Sequence, residues 1–169
     1  MSSIATQLEL HIASLRRYAR ALLRDRSDAD DLVQESLARA LSRAGFFKEG
    51  TNLRAWLFTI MHNVHINQVR RKAVRPAEVA VDDVAAMLSG PPGQEHRLEL
   101  RDMQRALSEL PEEQRKVLLL VALEGMKYEE VAAVLGIPVG TVMSRLSRAR
   151  EALRIKTTHQ GGVPLRRVK

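Results

Sequence analysis

"YEEVAAVLGIPVGTVMSRLSRAREAL", Tyr128 to Leu153, decides the fold. A short helical segment, Tyr128 to Leu135, ends at Gly136, and Pro138 cannot continue it. A longer helix follows from about Val139 to Ile155. On that helix Val142, Leu146, Ala149 and Leu153 step by four, three and four, so they share one core-facing stripe. The opposite face holds Gly140, Ser144, Ser147 and Glu151, flanked by Thr141, Met143 and Arg148. A short helix, a tight turn and a longer helix form the helix-turn-helix pattern. Small side chains let such a helix approach base edges, and hydroxyl and guanidinium groups supply hydrogen bonds there. An ordinary antiparallel helix pair does not need turn, stripe and basic face to agree.

Upstream, the same module starts near Glu95. Leu98, Met103, Leu107 and Leu110 mark one helix. Pro111, Glu112 and Glu113 read as a first turn, with Pro at the first helical position and acids at the positive end of the dipole. Val117, Leu118, Val121 and Leu123 carry that helix to Gly125.

The segment before it, "AVRPAEVAVDDVAAMLSGPPG" from Ala73 to Gly93, changes character. It holds three of the six prolines, few large side chains and mostly acidic charge. It reads as a flexible linker with one short helical turn near Val84.

Before the linker, helical spacing returns. Leu8, Ile12, Leu15, Ala19 and Leu22 share a face, and Arg16, Arg20 and Arg24 line another. Ser27 with Asp30 reads as a capping box for a helix from Asp28 to about Ala44. Its apolar stripe is Ala29, Leu32, Val33, Leu37, Ala40 and Leu41. "GFFKEGTN" interrupts the pattern, and a third helix runs from about Leu53 to Lys72. Its buried stripe is Leu53, Leu57, Ile60 and Val64, with Trp56 at the edge. The expectation is an all-α chain of two small helical domains: 1–72, a linker over 73–94, 95–155, and a basic tail over 156–169.

Composition narrows the function. The chain has 169 residues, 45% hydrophobic content and a formal net charge of +7. The basic excess suits a polyanionic partner, whose released counterions favour binding. No apolar run approaches the ~20 residues a membrane helix needs, and the first residues lack a signal-peptide core. A cytoplasmic protein without membrane insertion is expected. With no cysteine, disulfides, thiol catalysis and cysteine-based zinc sites are excluded. No phosphate loop, nucleophile–base pair or spaced carboxylate pair appears, so neither enzymatic activity nor a cofactor is expected. His62 and His65 sit three apart in "TIMHNVHINQVRRK", but a third metal ligand is missing nearby. They read as a solvent-facing or DNA-facing pair, and no metal is expected.

The motifs together resemble the extracytoplasmic-function (ECF) sigma factors, bacterial transcription initiation factors. "LPEEQRKVLLLVALEGMKYEEVAAVLGIPVGTVMSRLSRAREALR" resembles their region four over its whole length. "DADDLVQES" resembles the polymerase-binding part of region two, and "NLRAWLFTIMHNVHINQVRRK" the promoter-melting part. The matches cover Leu15 to Arg154, in the family's order, with a linker between the modules. The resemblance implies a protein that binds core RNA polymerase and promoter DNA, both duplex and melted strand, under an anti-sigma factor and for a stress regulon. Asp30, Asp31, Gln34 and Glu35 would face the polymerase clamp helices. Asp28 joins them on physical grounds, since Asp28, Asp31 and Glu35 lie along one helix side. Phe47, Lys48 and Asn63 align with the family's minus-ten surface. Phe46 adds apolar area there, and Arg70, Arg71 and Lys72 can hold phosphates. Ser144, Ser147 and Arg148 align with readers of the minus-thirty-five element, beside Gly140, Thr141 and Met143. Met143 stands where the family usually has lysine or arginine, which weakens transfer of a base preference. Asn67 replaces a common aspartate.

Two other classes compete. A sigma mimic would bind an anti-sigma factor and no DNA, yet it has no need for Arg148, Asn63 or the basic run. A conventional helix-turn-helix repressor or activator leaves the first module without a role.

Overall fold

The computed structural model describes residues 3–74 and 94–159. The linker core, its expected turn near Val84 and the end of the tail lie outside the described residues.

Every described element is a helix or a helical turn. The first module contains α1 (Ile4–Glu9), α2 (Ile12–Leu22), α3 (Arg26–Ser42), a 3-10 turn (Ala44–Phe46) and α4 (Leu53–Ala73). The stretch expected as one helix from Leu8 to Leu22 is broken at Leu10–His11, where one turn closes onto Leu8 before α2 begins. The helix expected from Asp28 starts two residues earlier. Its cap is Asp25, whose carboxylate accepts from the Asp28 N–H, rather than the Ser27–Asp30 box. Asn52 caps α4 in the same way through the Ala55 N–H.

Helices α2, α3 and α4 bury Leu15, Leu22, Leu32, Val33, Leu57 and Val64 as the spacing predicts. Tyr18 of α2 and Phe58 of α4 meet edge to face, ring centroids 5.2 Å apart. Leu41, expected in the α3 stripe, is exposed. Phe58 and Met61 are buried although they lie outside the predicted α4 stripe. The reason is that α4 is covered twice, by α3 on one side and by α7 of the second module on the other.

The second module contains α5 (Gln94–Glu109), α6 (Glu112–Leu118), a π-helical turn (Leu119–Leu123), α7 (Tyr128–Leu135) and α8 (Val139–His159). Pro111 is the residue before the first helical position rather than at it: its ψ of 139° is extended. The helix expected to run straight to Gly125 widens instead, and the Glu124 N–H reaches back five residues to the Leu119 carbonyl. Such single π turns recur at functional positions. Gly125 (φ +63°) and Gly136 (φ +65°) both take the left-handed conformation that ends a helix. After Gly136, α8 leaves α7 at 103°, within the range of a helix-turn-helix corner. The predicted stripe of α8, Val142, Leu146, Ala149 and Leu153, is buried throughout. Leu98 of α5 is exposed where the spacing placed it in the core.

The buried residues of both modules form one continuous cluster. Here α4 packs on α7, and α2 packs on α6 and the π turn. The two modules are therefore closed upon each other. Among the described residues, no single helix is long and apolar enough to cross a membrane.

Candidate polymerase and promoter interfaces

Three surfaces carry the residues singled out by sequence. The first is the outer side of α3. Asp31 and Gln34 are exposed. The other acids are engaged: Asp28 with Lys72 at 2.6 Å, and Asp30 with Arg20 at 3.6 Å. Glu35 accepts from Gln68 Nε2 at 2.7 Å and from Arg71 at 3.0 Å. The Gln68 hydrogen bond, with Arg71 behind it, holds the Glu35 carboxyl below its usual range, so it carries full charge near neutral pH. Asp31 is thus the acid of this face with no ion pair among the described residues.

The second surface lies along the exposed side of α4 and the loop before it. Phe46 is 85% exposed, in a position to stack on an unpaired base. Phe47 is half-buried and its ring rests 5.2 Å from that of Trp56, so it supports the loop from beneath. Lys48, Asn63 and Arg70 are exposed. The basic run divides by role: Arg71 and Lys72 tie α4 to α3 through Glu35 and Asp28, leaving Arg70 to face outward.

The third surface is the N-terminal half of α8. Gly140, Ser144, Ser147 and Arg148 are exposed, Thr141 is half-buried, and Met143 is 53% exposed. The Ser144 hydroxyl donates to the Thr141 carbonyl at 3.1 Å and keeps its lone pairs for another donor. Arg145 is drawn to Glu113 at 2.9 Å and Arg154 to Glu151 at 2.6 Å, whereas Arg148, on the exposed side of the N-terminal half of α8, has no ion pair among the described residues.

The histidines differ from the sequence expectation. His65 is buried rather than solvent-facing, whereas His62 is half-buried. His65 is 4% exposed and its Nε2 bonds Glu112 of α6, whose other neighbour is Lys116 at 3.5 Å. Glu112, which burial alone would push up, is held below its usual range by that hydrogen bond and by Lys116. His62 is pulled down to about 4, first by burial and then by the charge of Lys116. Among the described residues no group of three ligating side chains could hold a metal.

Other polar contacts, within the second module and between the modules, were not foreseen. Arg115 of α6 donates to the carbonyls of Leu107, Ser108 and Leu110 at the end of α5, and to that of Leu22 at the end of α2. A guanidinium there supplies donors to carbonyls at helix ends, the first of which also accepts from the Leu110 N–H. Arg24 donates to the Ser108 carbonyl, and Asn52 to Glu130. A sequence signal existed only for the helix ends that need such donors, not for which arginine supplies them.

Comparison with known proteins fits this geometry. Residues 100–153 match the family "Sigma-70, region 4", and residues 8–62 match "Sigma2 domain of PhyR". The ECF RNA polymerase sigma factor EcfG of Rhodopseudomonas palustris is 44% identical over 142 residues, 84% of this chain and 78% of that protein. The chain belongs to the ECF RNA polymerase sigma factors. Another ECF sigma factor, SigM of Mycobacterium tuberculosis, is 34% identical over 93% of this chain and 79% of its own length. Among solved structures, the sigma factor RpoE of Bartonella quintana in complex with the anti-sigma factor NepR has 33% identity and a TM-score of 0.77. The match covers 94% of this chain and 98% of that one. As an ECF sigma factor the chain is a promoter-recognition protein rather than an enzyme. It has the all-α fold of two modules that the sequence predicts.

Proposed function

We propose that this sigma factor divides promoter recognition among the three surfaces. The α3 face, centred on Asp31 and Gln34 with Asp28, Asp30 and Glu35 beside them, docks on core polymerase. Phe46, Lys48, Asn63 and Arg70 take hold of the melted minus-ten strand, Phe47 shapes that loop, and Arg71 positions α4. Gly140, Thr141, Met143, Ser144, Ser147 and Arg148 enter the major groove at the minus-thirty-five element. The functional units are residues 1–72 and 95–155, joined by 73–94 and followed by the basic tail 156–169. The protein acts in the cytoplasm, under an anti-sigma factor, on a stress regulon. The relative solved with NepR supports the anti-sigma partner.

The single observation that carries this reading is the polar, unpaired half of α8 standing at 103° to α7 with its apolar half fully buried. The test is run-off transcription with core polymerase on a fork-junction promoter. Promoter-directed transcripts that depend on the chain are expected. Duplex binding without polymerase-dependent transcription would sink the reading.

The match of residues 8–62 to the PhyR domain favours a second reading, a mimic that binds an anti-sigma factor and not DNA. The Bartonella quintana PhyR is described as an anti-anti-sigma factor. Exposed Arg148 and Asn63 have no use in such a mimic, and the same transcription assay separates the two.

A further inference from the structure

Glu124 follows the π turn at the foot of α6, and its side chain is wholly buried. Among the described residues, each hydrogen bond to its carboxylate comes from the other module. The Ser14 hydroxyl donates to Oε2. Arg17 donates from Nε to Oε1 at 3.2 Å and from its terminal nitrogen to Oε2 at 3.1 Å, a two-pronged grip. Arg54 adds a bond at 3.3 Å. A buried carboxylate is tolerated only when it is paired and hydrogen-bonded. Glu124 meets that condition only while the modules touch. The extra residue of the π turn rotates the chain after it, which delivers Glu124 to this seat rather than to the face of α6.

Further polar pairs border the apolar packing of α4 on α7 and of α2 on α6. His65 meets Glu112, Asn52 meets Glu130, and Arg115 and Arg24 reach backbone carbonyls across the boundary. Water can replace such bonds when the modules part, which suits an interface that opens. The buried Nε of Arg54 has no acceptor, so the seat is incompletely satisfied even when closed.

The closed chain is too short for its two DNA-reading surfaces. The two elements are about 25 base pairs apart, about 85 Å at 3.4 Å per step. A packed body of this length has a radius of gyration of about 15 Å and a diameter of about 40 Å. Residues 73–94, when extended, reach about 70 Å, enough to let the modules separate.

We propose that Glu124 is a latch. Its carboxylate, seated on Ser14, Arg17 and Arg54, holds the chain in a closed form that cannot engage both promoter elements. The carboxylate must leave that seat when the sigma factor binds polymerase and promoter. The inference rests on the assignment of two DNA-reading surfaces made above.

The chain has no cysteine, so an introduced pair labels cleanly. Cysteines replacing exposed Arg43 and Arg150, one in each module, would carry donor and acceptor dyes on the full-length protein. The parent pair should show a dominant short-distance population. Glu124→Gln should shift the closed-to-open ratio toward open by a factor of about ten or more, as expected for losing charged hydrogen bonds. Arg17→Ala, a change at a half-exposed side chain, should shift it the same way and serves if Glu124→Gln fails to fold. Both variants should assemble with core polymerase faster than the parent. An already open parent chain, or folded Glu124→Gln and Arg17→Ala proteins with the parent's distance distribution, would overturn the latch. Transcription by the parent in the same preparation keeps the two failures apart. Active parent protein with unmoved distances removes the latch alone, whereas opening without promoter-directed transcripts removes the surface assignment on which it rests.

Discussion

Arg148→Ala isolates the upstream-reading surface. Arg148 is exposed, and no hydrogen bond or ion pair ties it to another described residue, in contrast to Arg145 and Arg154 on the same helix. Its removal should therefore leave folding nearly unchanged, within about 0.5 kcal/mol for a surface position. That corresponds to a Tm change of roughly 2 °C or less for a chain of this size. A base contact made by its guanidinium is worth about 1–3 kcal/mol, so cognate binding should weaken roughly 5- to 150-fold. The assay is fluorescence anisotropy of polymerase holoenzyme on a labelled duplex, cognate against scrambled upstream element, over a salt series. A base contact predicts loss on the cognate duplex and little on the scrambled one. A phosphate contact predicts equal loss on both, with a salt slope smaller by about one. Unchanged cognate affinity, or a loss matched by a fall in Tm, refutes the placement of α8 in the groove.

Asn63→Ala should cost about 0.5–1.5 kcal/mol in capture of a melted minus-ten strand, because one hydrogen-bonding amide is lost from an exposed position; permanganate reactivity of the promoter should fall while core polymerase binding, read by gel shift, stays intact. Gly136→Ala should destabilise the fold by about 1–2 kcal/mol through backbone strain at φ +65°, with no steric clash since nothing lies within 4 Å of an added Cβ; a Tm drop of roughly 2–8 °C checks it. Acidification should open the interface between the modules. His62 faces Lys116, Glu112 and Glu113 of α6 and His65 on its own helix, and in the closed chain it is pulled down to about 4. A histidine freed into water binds its proton near 6.5, so opening takes up a proton. Its contribution to closure is complete above about pH 6.5 and is lost as pH falls toward 4. The dye-pair distance measured from pH 7.5 to 5 should lengthen in the parent and respond less in His62→Gln; an identical pH response in both would exclude His62 as the source.

Much of the architecture was legible because it is local. The α8 stripe, the Gly136 corner and the polar face opposite are all properties of one short segment, and period 3.6 reports them directly. The same logic failed at α4. The stripe Leu53, Leu57, Ile60 and Val64 assumes one buried side, but α7 covers a second side and buries Phe58 and Met61 as well. A helix covered twice has no single stripe, and its apolar residues run around much of its circumference. Cap positions erred for a related reason: Asp25 and Ser27 are both competent caps, and the chain's approach to α3 selects between them. The π turn left no mark in the sequence, because the run Leu118 to Leu123 is apolar in either helical register.

The candidate site was legible in its exposed residues and illegible in its polar pairings. Exposure follows from the face a residue occupies, so Asn63, Ser144, Ser147 and Arg148 stand where their spacing put them. Partnership does not follow from spacing. Glu124 meets Arg17 across 107 positions, and His65 meets Glu112 across 47. A histidine pair three apart suggests a metal or a wet face when only neighbours in sequence are considered. Its actual role depends on which element of the second module lies against α4. Beyond the α7 packing, the start of α6 reaches the histidines through Glu112, and the second module's approach assigns the two sides of α4 different tasks. Arg54 and His65 hold the second module, His62 is half-buried near the charges of α6, and Asn63 and Arg70 face outward. Substitutions on the two sides should therefore separate: changes at His62 or Arg54 alter how readily the chain opens, and changes at Asn63 alter what it does with DNA once open.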